Sequence, residues 1–148
     1  MTADFSLNGQ VALVTGASSG LGRSFAGFLA DAGASVIVAA RRAEKCAEAA
    51  EEIGGETLAV GMDVTDADSI EAALTAAEEQ FGPVTVLVNN AGTVTNNALV
   101  DTPPEDWRQV IDTNLTGCFL MTQAVSKRLI AAETGGRIVN ISSMLGVT

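Results

Sequence analysis

Five short apolar runs rich in β-branched residues, VALV (11–14), SVIVA (35–39), TLAV (57–60), VTVLV (84–88) and RIVNI (137–141), alternate with alanine-rich segments of helical periodicity. Runs this short, bounded by turn residues, read as buried strands rather than helices. Parallel strands cannot be joined by a tight hairpin, so each return needs a crossover, usually a helix. The expected fold is therefore α/β: a parallel sheet covered on both faces by helices, in three layers, α/β/α.

The segments between the runs carry their own start and stop signals. Leu21, Phe25, Phe28 and Leu29 recur at helix spacing ahead of Gly33, which is placed to end that helix. Residues 66–81 read as another helix, with Ile70, Leu74 and Phe81 on its apolar side and Gly82-Pro83 stopping it. Thr102-Pro103-Pro104-Glu105 has capping-box spacing with a proline at the first helical position. Trp107, Ile111, Cys118, Val125 and Leu129 then mark one stripe of a long helix expected to reach about Ala131. With no repeat, low-complexity tract or linker, the 148 residues fit one domain, and a chain of this size buries roughly 70% of its unfolded surface.

Composition narrows the function classes. The chain is 47% hydrophobic and 18% charged, and no stretch approaches the ~20 apolar residues of a membrane span, so no membrane partner is expected. Met1 to Gln10 lacks the cationic and apolar parts of a secretory signal, which makes the cytoplasm the expected location. Cys46 and Cys118 lie far apart and there is no histidine, so no metal site is expected; both should be plain thiols, Cys118 the more buried. A net charge of −10 repels phosphate backbones, which argues against nucleic acid as a partner. Any phosphate must be held locally.

The first run leads directly into Thr15-Gly16-Ala17-Ser18-Ser19-Gly20-Leu21-Gly22, where a helix begins. Glycines there allow a tight turn and let a pyrophosphate approach bare N–H groups at the positive end of the helix. The competing reading is a glycine turn chosen for packing alone.

The spacing, Gly-x-x-x-Gly-x-Gly, differs from the commoner Gly-x-Gly-x-x-Gly fingerprint and resembles that of the short-chain dehydrogenase/reductase family. The resemblance covers the whole chain, through Asp63-Val64, Asn89-Asn90-Ala91-Gly92, Asn114 and Asn140-Ile141-Ser142-Ser143, all in the family's order. It implies a Rossmann-like, doubly wound parallel sheet of strand order 3-2-1-4-5, truncated after strand five. Residues 1–148 would then be a single dinucleotide-binding domain, incomplete at its C-terminus, with strand five as an exposed apolar edge.

The resemblance also assigns residues. Cofactor contacts would come from Thr15, Gly16, Ser18, Ser19, Gly20, Leu21 and Gly22, from Asp63 at the adenine edge and Val64 beside it, and from Asn90, Ala91 and Gly92, with Asn89 bracing strands. For Asp63 the alternative is a helix-capping role. Where an acidic residue at the end of strand two would accept the ribose hydroxyls of NAD, this chain has Ala40 followed by Arg41 and Arg42. Arg41, Arg42 and Lys45 are three of only eight basic residues, so a local anion site and NADP(H) in preference to NAD(H) are expected. Otherwise these charges are solvated, with Arg42 or Lys45 paired to Glu44 or Glu48.

In the family a serine, a tyrosine and a lysine do the chemistry. Hydride moves between a substrate carbon and the nicotinamide while the tyrosine exchanges the proton. Ser143 aligns with that serine and Ser142 is its structural neighbour. Asn114, expected as a buried amide on the apolar stripe, would relay toward the lysine through water or satisfy a neighbouring backbone carbonyl. The Tyr-x-x-x-Lys motif would lie beyond Ser143, and the chain holds no tyrosine. The expected parent is an oxidoreductase of small alcohols and ketones, homo-oligomeric when complete, and this chain alone would be inactive. The alternative is a non-catalytic dinucleotide-binding or interaction module.

Overall fold

The computed structural model describes residues 5–143; the signal-peptide reading falls partly outside that range. Five parallel strands, β1 (Val11–Thr15), β2 (Ser35–Ala40), β3 (Thr57–Gly61), β4 (Val86–Asn89) and β5 (Arg137–Asn140), form one sheet in the order β3-β2-β1-β4-β5. The order expected from the family resemblance is the order observed. The register pairs Leu13 with Ile37 on one side and with Leu87 on the other, and Asn89 with Asn140 at the far edge.

Alternation of side chains across the sheet splits the core into two layers. On one face Leu13, Ile37 and Leu87 meet Ile70 and Leu74 of α3 (Ala67–Phe81) and Met121, Val125 and Leu129 of α5 (Gly117–Ala131). On the other, Ala12, Val14, Val36, Val38, Val86 and Val88 meet α1 (Gly20–Asp31) and α2 (Ala43–Ile53). Leu13 is fully buried, and truncating such a leucine to alanine costs about 2–5 kcal/mol.

Four expectations need correction. The stripe assigned to α1 is not its buried face: Leu21 and Phe28 are 66% and 69% exposed, and Gly22 and Ala26 face the sheet instead. Small residues there let the helix sit close to the strands, and Phe25 and Leu29 pack only at the margin. The long helix is not continuous. It begins as α4 (Pro104–Ile111), opens into a π turn over Asp112–Thr116 and resumes as α5.

The π turn interrupts the expected stripe, which is met only in part: Trp107, Ile111 and Cys118 lie outside the core clusters, while Val125 and Leu129 are buried as expected. Trp107 is 59% exposed, and the buried face of α5 is Gly117, Met121, Ala124, Val125 and Leu129. Nor is there a capping box: the Thr102 hydroxyl donates to Ala98 O, and Pro104 opens the helix behind Pro103. Finally, Cys46, not Cys118, is the buried thiol. It lies on the inner face of α2 with Sγ toward Ala40 O, and burial pushes it above its ordinary pKa.

Candidate functional site

The strand order reverses between β1 and β4, and their carboxyl ends diverge into a crevice, where open α/β sheets bind ligands. The glycine loop forms one wall. Gly16 has φ +66°, and a Cβ there would lie 2.9 Å from Ala91 Cα; at Gly22 one would collide with Asn90 Nδ2 and lie 2.6 Å from Gly16 O. Both glycines are thus required by the close approach of the loop to the segment after β4. At Gly20, with φ +57°, a Cβ would meet nothing within 4 Å, so that side of the turn is open. Packing explains two of the glycines and leaves an open cradle at the third.

Thr15 and Asn90 hold the two segments together. The Thr15 hydroxyl, 1% exposed, accepts the Asn90 and Ala91 N–H groups at 3.0 and 2.8 Å and donates to Val88 O. The Asn90 amide donates to Thr15 O at 2.9 Å. Both side chains therefore brace the loop from behind. Ser19, the N-cap of α1, makes no side-chain capping bond, in contrast to Asp66, which caps α3 through Asp68 N and Ser69 N. Without a side-chain cap, the first N–H groups of α1 remain available to an anion.

Two cavities open along this wall, of about 820 and 450 Å³. They share Val64, Ala91, Gly92, Thr93 and Thr113 and so form one trough across the strand ends. The smaller is lined by Gly16, Ser18, Arg41 and Arg42. Neither arginine forms an ion pair among the described residues, whereas Lys45 is paired with Glu48 at 2.7 Å and so drops out of the basic cluster.

Asp63 closes a turn: its carboxylate accepts the Thr65 N–H at 2.9 Å and the Thr65 hydroxyl at 2.8 Å. The Thr65 N–H holds the carboxyl below its ordinary range; burial works against it, and the Thr65 hydroxyl and Arg41 add to the lowering. The helix cap is Asp66, not Asp63.

The larger cavity carries the polar centre. Asn89, 7% exposed, donates to Thr122 Oγ1 at 3.1 Å and Asn140 Oδ1 at 2.9 Å, bracing β4, α5 and β5. Cys118 donates to the same Asn140 oxygen at 3.3 Å. Asn114 is exposed, not buried as expected, because the π turn swings it out of the apolar face. Its Oδ1 accepts the Thr93 N–H at 2.8 Å and its Nδ2 donates to Thr93 O at 2.9 Å, so the backbone-satisfying alternative describes the geometry seen.

Ser142 and Ser143 line the same cavity, as does Leu21, whose exposure is explained by that position. Sequence reasoning missed Thr93, Thr113 and Thr122. Thr93 and Thr122 act through partners distant in sequence, Asn114 and Asn89, and Thr113 lines both cavities; only the family motif containing Asn140 hinted at this network. No charged side chain lines the larger cavity among the described residues.

A parallel sheet of this order, with its glycine loop at the switch point, defines a Rossmann-type α/β protein. A family model described as short chain dehydrogenase matches residues 10–148, and the chain belongs to that family. It is 45% identical over 145 residues to a 3-oxoacyl-[acyl-carrier-protein] reductase of Synechocystis, covering 95% of this chain and 58% of that protein. To a galactitol 2-dehydrogenase of Agrobacterium fabrum it is 40% identical over 140 residues, covering 95% and 55%. The crystal structure of a short-chain type dehydrogenase/reductase from Mycobacterium marinum superposes with a TM-score of 0.94 at 38% identity, covering 98% of this chain and 58% of that one. The chain thus spans little more than half the length of these relatives.

Proposed function

We propose that this chain is the dinucleotide-binding part of an NADP(H)-dependent oxidoreductase that interconverts an alcohol with a ketone or aldehyde. The observation that carries the reading is the continuous trough from Arg41 and Arg42, past Gly16 and Ser18 of the glycine loop, to Ser143. When bound, a nicotinamide dinucleotide supplies a two-electron hydride donor or acceptor.

The chain's own residues bind and orient. The Gly16–Gly22 turn and the start of α1 offer N–H groups to the pyrophosphate, with Ser18 and Ser19 beside them. Arg41 and Arg42 supply charge for a 2′-phosphate, and Asp63 and Val64 form the adenine side. Ala91 and Gly92 keep the shared wall small enough for the ligand to cross from one cavity to the other. Ser143 donates a hydrogen bond to the substrate oxygen, and Asn114 fixes the wall opposite.

The chain has no tyrosine, so these 148 residues do not supply the proton donor that the family resemblance implies. A family model described as short chain dehydrogenase matches residues 10–148, a span that includes the serine, and relatives named as reductase and dehydrogenase match 95% of the chain, which favours the enzymatic reading over a non-catalytic module. Their substrates differ; an uncharged cavity suits a neutral carbonyl or hydroxyl group.

Titrating the 148-residue chain with NADPH and NADH tests the cofactor assignment. NADPH should bind more tightly, and replacing Arg41 and Arg42 together with alanine should weaken NADPH by about ten- to a hundredfold, the scale of lost charge-assisted hydrogen bonds, with little change for NADH. Equal affinities in the parent would overturn the preference. Binding without turnover is the expected behaviour of this chain, and steady NADPH oxidation with a small ketone would contradict the assignment of the proton donor.

A further inference from the structure

Thr93 and Val94 line the larger cavity, yet the chain from Thr93 to Asn97 belongs to no helix or strand. Ordering such a segment costs conformational entropy at every residue, and apolar burial does not offset it here, since Val94 is 71% exposed and Asn96 and Asn97 are also exposed. The restraint is polar and acts at two points. At one end Asn114 grips the Thr93 backbone through both amide atoms. At the other, a single oxygen of Asp106, Oδ2, accepts Asn97 Nδ2 at 2.9 Å and the Thr95 hydroxyl at 3.5 Å, while that hydroxyl accepts the Asn97 N–H at 3.4 Å.

Asp106 is half-buried in the first turn of α4, where the helix dipole favours a negative charge. A carboxylate acceptor makes these bonds stronger than neutral ones. The anchor is thus a charged group on a regular element, holding an irregular one.

We propose that Asp106 is a positioning residue: through Asn97 and Thr95 it fixes the Thr93–Val94 wall of the larger cavity, and so sets the fit of whatever occupies that end of the trough. The inference rests on the reading that the nicotinamide end of the ligand lies there. Asp106 itself is absent from the lining of that cavity. Its removal therefore acts through the loop: of the two cavities of the trough Val94 lines only the larger, and Thr93, which lines both, keeps its two bonds to Asn114, so the adenine end should be disturbed least.

The test compares two probes on the 148-residue chain: NADPH, and adenosine 2′,5′-bisphosphate, which lacks the nicotinamide half. Asp106→Ala should weaken NADPH by roughly tenfold, the scale of one lost charged hydrogen bond, and leave adenosine 2′,5′-bisphosphate within about twofold. Amide hydrogen exchange over residues 93–97 should speed up in the same variant. Asp106→Asn, which keeps an acceptor, should recover most of the affinity.

Asn97→Ala, a change at an exposed loop position, should reproduce most of the loss, and the double variant should add little to the stronger single one. Equal weakening of both probes, additive singles, or unchanged exchange would overturn the proposal. If the parent chain binds neither probe, the functional reading fails, and exchange over 93–97 alone decides whether Asp106 holds the loop.

Discussion

Thr15 illustrates what a residue's neighbours decide that its motif does not. It opens the glycine motif in the sequence, but its hydroxyl is saturated by two N–H groups from the segment after β4, so its contribution to any ligand is indirect. Asp63 likewise stands in its expected place at the end of β3, while its partner is the neighbouring Thr65. The Thr65 contacts lower its folded pKa, so ionised Asp63 stabilises the fold above its unfolded pKa of about 4, and that contribution is lost as pH falls through the folded value. Comparing the parent with Asp63→Asn by thermal unfolding at pH 7, 5 and 3 should therefore show a constant difference at the first two and a shrinking one at the last. A difference independent of pH would mean that the charge plays no part in the turn. Gly16, Arg41, Arg42 and Ser143 were legible as site candidates because local spacing or the family motif marks them. Thr93 and Thr122 were not, because contacts between segments distant in sequence give them their roles.

Among the elements, the strands and α3 were readable to within a residue or two, since a β-branched run or a Gly-Pro stop is a local signal. The break between α4 and α5 was not. A π turn needs no proline or special residue, and here it coincides with tertiary contacts: Asn114 reaches Thr93, and a Cβ on Gly117 would sit 2.7 Å from Val64 Cγ2. The long helix is also fastened from its other end. Arg128 of α5 reaches Glu71 at 2.6 Å and Glu78 at 2.5 Å on α3, and the Thr75 hydroxyl at 3.1 Å. Glu71 is more than half exposed but Arg128 is only 23% exposed. The link is therefore worth more than a surface pair and less than a buried one. Arg128→Leu should lower stability by about 1 kcal/mol after allowing for solvent screening, with the loss shrinking at high salt. A denaturation midpoint unchanged in low salt would show that the pairs merely accompany the packing of α5.

On the scale of the whole molecule, charge and hydrophobicity pull in opposite directions. Among the described residues β5 is the last strand of the sheet, and every residue of it is exposed. Ile138, Val139 and Ile141 are 37%, 46% and 39% exposed, and none belongs to either core cluster. The expectation of an open apolar edge is met, and such an edge is a template for pairing with another chain. Against this stands a net charge of −10, which repels a second copy over the Debye length, about 30 Å at 0.01 M salt but only about 8 Å at 0.15 M. Strand pairing and side-chain contact act at closer range than either. The 148-residue chain should therefore stay monomeric at low ionic strength and self-associate, in a concentration-dependent way, as salt is raised. Sedimentation velocity across a salt series reads this directly. Val139→Lys places a charge on the exposed side of the edge, so it should restore the monomer at 0.15 M salt without lowering the unfolding temperature. Association that weakens with added salt would show that ionic contacts, not the β5 edge, join the copies.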